Sequence, residues 1–312
     1  MVVDETIVTN YSKDLEDRNM KLYSPTTINA IKNKHGFKLS KSLGQNFLTD
    51  KNIIDKIIEG SNIGKNDLVI EIGPGIGVLT SAAAEEAGKV VAIEIDRKLI
   101  PILKETLSEY NNIEIINSDV LKTDLKALME QNQEINGQRI EGVKILGNLP
   151  YYITTPIIMK ILEDRVPADS ITIMLQKEVA DRIKASPGSR TYGALSVAVQ
   201  YYCTVTHVVN APKEIFIPQP KVDSTVIRLD IRKERPVQLF SEEAFFAVVK
   251  AGFGQRRKTL LNSLTGVYGL SKEEIAAVME AAGIDSVRRA ETLSLQEFAA
   301  LANTIRPGSQ MA

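Results

Sequence analysis

A short motif in the middle of the chain, Asn148-Leu149-Pro150-Tyr151, carries groups that could act on an aromatic amine. The Asn148 side chain offers an amide oxygen, and because proline has no backbone N–H, the carbonyl of Leu149 or Pro150 can accept without a competing donor. Two acceptors that hold both hydrogens of an exocyclic amine turn the nitrogen lone pair towards an electrophile. Tyr151 adds a face on which an extruded base can stack. The motif favours group transfer to a base amine, with a plain turn at a strand end as the alternative.

A glycine-rich loop, residues 71–77 (EIGPGIG), follows an apolar run and precedes a helical one. Gly73, Gly75 and Gly77 allow a sharp turn and the close approach of a ligand. Their G-x-G-x-G spacing differs from the G-x-G-x-x-G of dinucleotide binders, and the absence of a following Gly-Lys-Ser/Thr argues against a nucleoside triphosphate. Alone, the loop is also compatible with a simple tight turn.

Two carboxylates follow the loop at the ends of successive predicted strands. Glu94 can accept hydrogen bonds from both hydroxyls of a ribose, and Asp119 comes at the end of the next strand. Ligands of parallel α/β sheets bind at the carboxyl ends of the strands, so we expect the loop and both acids to converge there. Each acid taken singly is most simply a solvated surface group. Together with the loop they predict the site of a nucleoside cofactor.

Short apolar runs alternate with amphipathic runs over residues 68–220, the part of the chain that must position these residues. This alternation is typical of a parallel sheet covered by helices. A Pro-rich loop, too short for a crossover helix, separates the last two predicted strands and indicates an antiparallel pair at the sheet edge. This chain order predicts an α/β fold of the Rossmann-like methyltransferase type. The predicted strands are 68–72, 90–95, 113–117, 143–146, 171–175, 205–210 and 224–231, with helices including 97–109 and 156–163.

The C-terminal part of the chain has a helical character. Ser271 with Glu274, and Ser294 with Glu297, form the spacing of capping boxes, and Gly283 stands where a helix cap is expected. The pattern predicts a small all-helical domain after the sheet. The predicted domains are an N-terminal, partly flexible extension (1–37), a catalytic domain (38–236) and a helical RNA-binding domain (237–312).

Composition restricts the functional class. The 312 residues are 44% hydrophobic and 25% charged, which is ordinary for a globular protein. No run is apolar enough to cross a membrane, and the first residues do not resemble a secretion signal. A single cysteine excludes an internal disulfide, and two histidines far apart in sequence do not predict a metal site. We therefore expect a cytoplasmic protein. The net charge of −1 is unusual for a nucleic-acid binder, but residues 228–258 are locally basic.

From about residue 38 to residue 301 the chain is similar to the ribosomal RNA adenine dimethyltransferase family. The resemblance is carried by the segments 41–48 (KSLGQNFL), 73–77, 148–151, 176–182 (QKEVADR), 192–196 (YGALS), 216–224 (FIPQPKVDS) and 253–260 (FGQRRKTL). It implies an S-adenosylmethionine-dependent enzyme that releases S-adenosylhomocysteine. It also implies roles for individual residues. Asn46 and Leu48 would lie at the methionine end of the cofactor, Gly73 and Glu94 at its methionine and ribose parts, and Asp119 at its adenine. Gly75, Gly77 and Asn148 would also contact the cofactor, with Asn148 at the reacting centre, and Phe216 would lie opposite Tyr151 across the target base.

The same resemblance implies the substrate, two adjacent adenines in the 3′-terminal hairpin loop of small-subunit (16S) ribosomal RNA within an immature 30S-type subunit. Arg256, Arg257 and Lys258 would then contact phosphates, and we expect a monomer with no membrane partner. Tyr152 departs mildly from the Asn or His found in many family members. The alternatives are a large-subunit methyltransferase of the antibiotic-resistance class, a noncatalytic ribosome-assembly factor and, less compatible with the motifs, a dehydrogenase.

Overall fold

A computed structural model describes residues 21–37, 44–135, 137–255 and 257–305. Within these ranges the chain divides into two compact units. The first holds the described residues up to Lys177 together with Thr206–Ile231, and the second holds Glu178–Val205 together with the described residues from Arg232 onward. No helix of the described ranges is both long and apolar enough to cross a membrane.

The strands of the described residues build one large sheet and two small ones. The large sheet has the order β4-β3-β2-β7-β8-β11-β9, while β1 pairs with β10 and β5 with β6. The bounds are β1 (Phe47–Leu48), β2 (Asp67–Ile72), β3 (Lys89–Glu94), β4 (Ile113–Asn117), β5 (Glu134–Ile135), β6 (Gln138–Arg139), β7 (Gly142–Asn148), β8 (Ser170–Gln176), β9 (Cys203–Ala211), β10 (Phe216–Ile217) and β11 (Ser224–Ile231).

The large sheet is parallel from β4 to β8. All six residues of β2 are buried, and Ile70 lies between Val91 of β3 and Ile145 of β7. A strand that is covered on both faces and paired on both edges has a nearly continuous run of apolar residues. For this reason β2 could be predicted from the sequence. Strand β11 runs antiparallel to β8, with Ser224 opposite Gln176. The arrangement confirms the predicted α/β, Rossmann-like fold class.

Helices connect the strands of the sheet and make up most of the second unit. Their bounds are α1 (Pro25–Lys34), α2 (Lys51–Ser61), α3 (Val78–Glu86), α4 (Leu99–Thr106), α5 (Leu125–Glu130), α6 (Tyr151–Glu163), α7 (Lys177–Lys184), α8 (Ala194–Tyr202), α9 (Glu242–Gly254), α10 (Leu260–Leu264), α11 (Lys272–Ala281) and α12 (Leu295–Thr304). Short 3₁₀ turns lie at Lys213–Ile215, Val267–Gly269 and Ala290–Thr292.

The predicted capping residues lie at the ends of helices α11 and α12 in the second unit. Ser271 Oγ accepts from the Glu274 backbone N–H at 3.2 Å, and the Ser271 N–H donates to the Glu274 carboxylate at 2.7 Å. The corresponding pair at Ser294 begins α12 in the same way. Gly283, with a φ of 70°, follows the last residues of α11. Both predicted capping boxes and the predicted glycine cap are confirmed.

Two helices of the second unit precede β9 in the chain. Helix α8 joins the C-terminal helices through Tyr201, whose hydroxyl donates to the Glu242 carboxylate at 2.8 Å, and through the Arg235 guanidinium, 4.8 Å from the centre of the Tyr202 ring. Tyr192 likewise meets Phe253 edge to face, with 5.9 Å between ring centres. The second unit therefore includes residues on both sides of the domain boundary that was predicted near residue 236. The predicted domain boundaries stay a prediction.

The start of α6 differs from the prediction of a helix over 156–163. Pro150, with a φ of −55°, precedes the first helical residue, and Pro156 lies inside the helix. Pro150 is the N-cap of the helix, directly before its first residue, Tyr151. As a result, the first turn of α6 begins directly at the motif that carries the proposed chemistry.

Candidate active site

A cavity of the first unit opens at the carboxyl ends of β2, β3, β4 and β7. It brings together most of the residues selected from the sequence, although Gly77 is not among the described residues that line it. The predicted residues that line it are Asn46, Leu48, Gly73, Gly75, Glu94, Asp119, Asn148, Leu149, Pro150, Tyr151 and Phe216.

The glycine loop lies in backbone conformations that suit glycine. Gly73 and Gly75 have φ values of 69° and 63°, in the left-handed region. A Cβ on Gly75 would lie 3.0 Å from the Phe47 ring, so a larger residue would displace one wall of the cavity. Gly77 is the N-cap of α3, where an added Cβ would lie 2.9 Å from the Leu107 side chain. The first two glycines thus shape the cavity, while Gly77 packs against Leu107.

Glu94 presents a buried carboxylate at the end of β3. Its two oxygens accept from the backbone N–H groups of Asp96 at 2.8 Å and Gly75 at 3.3 Å, which fixes the carboxylate beside the glycine loop. Burial raises the pKa of Glu94 to about 7, while these backbone donors lower it. Each carboxylate oxygen can accept more than one hydrogen bond, so Glu94 keeps acceptor capacity for hydroxyl groups in the cavity.

Glu71 is a lining residue that the sequence analysis quoted within the loop but assigned no role. The side chain is 1% exposed, and its Oε2 atom has no hydrogen-bond partner among the described residues. Burial raises the pKa of Glu71 to about 8; the Thr80 hydroxyl lowers it and the charge of Glu94 raises it further. The signal that could have identified it is a charged residue inside an otherwise apolar strand.

Asp119 follows β4 and reaches the same cavity. Its Oδ1 atom accepts from the Leu121 backbone N–H at 3.0 Å, and its side chain is 25% exposed. The neighbouring Ser118 hydroxyl lies 2.9 Å from that of Thr123. These local hydrogen bonds hold the loop that presents Asp119, and the carboxylate is left with capacity for a donor such as an amino group.

The Asn148 motif joins the end of β7 to the start of α6. The Pro150 carbonyl accepts from the Ile153 N–H at 3.1 Å and from the Thr154 hydroxyl at 3.0 Å, so both of its lone pairs are engaged. The sequence left Leu149 and Pro150 as alternatives for the second acceptor. These two hydrogen bonds favour the Leu149 carbonyl, because that of Pro150 already serves the first turn of the helix.

Both aromatic residues selected from the sequence, Tyr151 and Phe216, line the cavity, as do Phe47 and Tyr152. The Tyr151 hydroxyl lies 2.8 Å from Ser224 Oγ, which fixes the ring orientation. Burial raises the pKa of Tyr151, so the phenol stays neutral. Phe216 is 3% exposed and pairs with Leu48 in the two-stranded sheet of β1 and β10. The sequence-predicted pair of aromatic rings is thus present in one cavity.

Residues 44–48, here named the cover segment, line the cavity and contact several of its walls. The Asn148 side-chain amide donates to the Asn46 carbonyl at 3.1 Å, and the Gln45 amide donates to the Asp96 carboxylate at 3.0 Å. The segment continues into β1, whose partner β10 carries Phe216. Gln45 was not selected from the sequence, since its role depends on a contact 51 residues away.

The residues predicted to contact RNA phosphates are not among the described residues that line the cavity. Arg257 and Lys258 belong to the second unit and are exposed in the connection between α9 and α10. Arg256 lies outside the described residues, as do positions 41–43 of the segment 41–48. The side chains of Arg257 and Lys258 are therefore accessible to a phosphate backbone, and their function stays a prediction.

The chemistry of the lining restricts what the cavity can hold. Glu71, Glu94 and Asp119 line it, and neither lysine nor arginine is among its described lining residues. This lining favours hydroxyl, amino and cationic groups, which find acceptors there, over a polyphosphate. S-adenosylmethionine carries all three, and the close approach allowed at Gly73 and Gly75 suits its slender methionine part. In the described residues we find no group of three or more His, Cys, Asp or Glu side chains that could hold a metal ion.

The mostly parallel sheet, the glycine loop after β2 and the acids at the ends of β3 and β4 define a Rossmann-like, S-adenosylmethionine-dependent methyltransferase. The ribosomal RNA adenine dimethylase family matches residues 36–306, and the chain belongs to this family. The resemblance read from the sequence motifs is thereby confirmed, and with it the enzymatic class of an adenine dimethyltransferase acting on ribosomal RNA.

Relatives and solved structures agree with this assignment. The chain is 55% identical over 285 residues to the ribosomal RNA small subunit methyltransferase A of Clostridioides difficile (strain 630), covering 91% of this chain and 97% of the relative. A protein of the same name from Alkaliphilus metalliredigens (strain QYMF) is 54% identical over 288 residues, covering 91% and 98%. Among structures, a dimethyladenosine transferase from Plasmodium falciparum is similar with a TM-score of 0.67 at 28% identity, covering 81% of this chain and 95% of that one. The 23S rRNA methyltransferase ErmE is similar with a TM-score of 0.62 at 26% identity, covering 83% and 98%.

Proposed function

We propose that this protein dimethylates the N6 amino groups of two adjacent adenines in the 3′-terminal hairpin loop of small-subunit ribosomal RNA. The observation that carries the proposal is the single cavity that holds both the Asn148 motif with its two aromatic rings and the glycine loop with its acids. The base-binding and cofactor-binding groups are thus neighbours, as direct methyl transfer requires.

The acidic side of the cavity is proposed to hold the cofactor. Glu94 accepts from the ribose hydroxyls, Asp119 from the adenine amino group, and the backbone at Gly73 and Gly75 lies along the methionine part. Asn46 and Leu48 cover that part from the cover segment. When bound, S-adenosylmethionine supplies a methyl group on a positively charged sulfur, which is a strong electrophile.

The Asn148 motif is proposed to hold and orient the adenine. Tyr151 and Phe216 enclose the extruded base, while the Asn148 amide oxygen and the Leu149 carbonyl accept the two amine hydrogens. The nitrogen lone pair then points into the cofactor side of the cavity. No strong general base is needed, since the amine becomes acidic once methylated; orientation and electrostatics provide the rate.

Sequence identity favours the small subunit over the large subunit as the substrate. Relatives named for small-subunit RNA share 54–55% identity over nine tenths of this chain, against 26% for the large-subunit enzyme ErmE. We further propose that the protein acts as a cytoplasmic monomer on an immature 30S-type subunit without a membrane partner. The helical domain, residues 237–312, would contact RNA phosphates through Arg256, Arg257 and Lys258.

The test is transfer of labelled methyl groups from S-adenosylmethionine to small and large ribosomal subunits that lack these modifications, followed by digestion to nucleosides. We expect N6,N6-dimethyladenosine in small-subunit RNA only, at two adjacent positions, and much slower labelling with the Asn148→Ala variant. Label in large-subunit RNA would support the resistance class instead. Binding of the cofactor without transfer to either subunit would support a noncatalytic assembly factor.

A further inference from the structure

The cover segment contacts the Asn148 side chain through one hydrogen bond. A backbone carbonyl only accepts hydrogen bonds, so the atom of Asn148 that lies 3.1 Å from the Asn46 oxygen is the amide nitrogen. The oxygen is the other branch of the planar amide, so it is not the atom that faces this carbonyl. Asn148 lines the cavity, so this oxygen is left for the cavity, where the proposed chemistry needs an acceptor.

Local contacts hold the Asn46 carbonyl in place. The Asn46 side chain donates to the Gly44 carbonyl at 3.0 Å, which folds residues 44–46 into a tight turn. Gly44 has a φ of 58°, and a Cβ there would lie 2.9 Å from the Pro150 Cβ. On the other side, Phe47 and Leu48 pair with Ile217 and Phe216. The turn is thus fixed between the catalytic motif and the aromatic wall.

We propose that the backbone carbonyl of Asn46 is a positioning group that holds the Asn148 amide with its oxygen towards the target amine. The inference rests on the proposed function, in which that oxygen accepts an amine hydrogen. It adds that the segment proposed to cover the cofactor also orients the side chain that holds the base. One hydrogen bond then joins the segment proposed to cover the cofactor to the side chain proposed to hold the base.

Gly44→Ala tests the coupling, because its Cβ would push the turn away from Pro150 and draw the Asn46 carbonyl from Asn148. The matched control is Gly36→Ala: Gly36 has nearly the same φ, 56°, and no atom within 4 Å of an added Cβ. Both variants carry the same backbone strain, and only Gly44→Ala disturbs the turn.

The first readout is the side-chain N–H resonance of Asn148, assigned from its loss in Asn148→Ala. We expect a downfield, exchange-protected amide proton in the wild type and in Gly36→Ala, and a shift towards free-amide values in Gly44→Ala. This measurement needs no substrate, so it can fail independently of the proposed function. A wild-type resonance at free-amide values would overturn the inference.

The second readout is kcat for methyl transfer at saturating cofactor and RNA, in a double-mutant cycle. We expect Gly44→Ala to lower kcat by about tenfold to a hundredfold in the wild type, and by less than about twofold in the Asn148→Ala background. An equal factor in both backgrounds would show that Gly44 does not act through Asn148. If Gly44→Ala fails to fold, Asn148→Asp replaces it: its carboxylate would face the Asn46 carbonyl, and transfer above that of Asn148→Ala would overturn the inference.

Discussion

At the scale of single residues, Glu71 combines deep burial with a carboxyl oxygen that has no hydrogen-bond partner among the described residues. Its pKa is raised by burial to about 8, from an ordinary value of 4.5. A carboxyl whose pKa is higher in the folded state binds more protons there, so its contribution lowers the free energy of unfolding as pH rises from about 4.5 to about 8. Glu71→Gln should therefore raise the melting temperature of the cofactor-free protein at about pH 9, by the equivalent of ~5 kcal/mol, and change it little at about pH 5.

The control for this prediction is Glu163→Gln, which replaces an exposed glutamate at the end of α6. Thermal denaturation of the three proteins at both pH values is the measurement. We expect Glu163→Gln to match the wild type throughout. An effect of Glu71→Gln that is the same at both pH values would mean that packing, and not the buried charge, is what the substitution changes.

Two other residues should separate binding from chemistry. Asn148→Ala removes an acceptor proposed for the target amine, and we expect kcat to fall by about 10²–10³-fold with the dissociation constant of S-adenosylmethionine nearly unchanged. Glu94→Ala removes the proposed ribose acceptor, and the dissociation constant should rise while RNA affinity stays the same. Calorimetry for the cofactor and single-turnover transfer for kcat distinguish the two. Equal weakening of cofactor binding by both variants would contradict the assigned roles.

At the scale of elements, the junction of the glycine loop with α3 depends on close packing. Gly77 has a φ of 94°, and an added Cβ would lie 2.9 Å from the buried Leu107 side chain. Gly77→Ala should lower the free energy of unfolding by about 2–4 kcal/mol, from backbone strain and overpacking together. Gly266→Ala is the matched control, since Gly266 has a φ of 92° and no atom within 4 Å of an added Cβ.

Denaturant unfolding measures both glycine variants. Gly266→Ala should cost only about 1–2 kcal/mol, the backbone part of the effect. A cost for Gly77→Ala no greater than that for Gly266→Ala would show that Leu107 rearranges freely. In that case the glycine would be required at the N-cap of α3 for its conformation alone.

The sequence predicts best the strands and helices whose hydrophobic pattern follows directly from their burial. Strands β4 and β11 match the predicted bounds, because each is a short run rich in β-branched residues between polar segments. Helix α8, Ala194–Tyr202, was not predicted: its valines and tyrosines resemble a strand, and its burial removes the polar stripe that marks a surface helix. Glu71 and Gln45 were missed for a related reason, since their roles depend on contacts that no local spacing encodes.

At the scale of the whole molecule, a net charge of −1 must be reconciled with an RNA substrate. The basic residues of positions 228–258 are not equally available: Arg228 pairs with Asp230 at 2.9 Å, and Arg235 lies over the Tyr202 ring. Lys233, Lys250, Arg257 and Lys258 are exposed. Affinity for a phosphate backbone depends on such local groups and not on net charge.

The paired substitution Arg257→Ala and Lys258→Ala tests whether these two residues contact phosphates. Each phosphate contact releases counterions, so losing two should reduce the slope of log affinity against log salt by about 1–2 and weaken binding at low salt most. The control, Lys56→Ala with Lys126→Ala, removes the same charge from exposed positions on α2 and α5. Binding of unmodified small-subunit RNA is measured over a series of salt concentrations. If both double variants change the slope equally, the effect belongs to total charge; if only the first does, the helical C-terminal region provides the phosphate contacts despite the acidic balance of the chain.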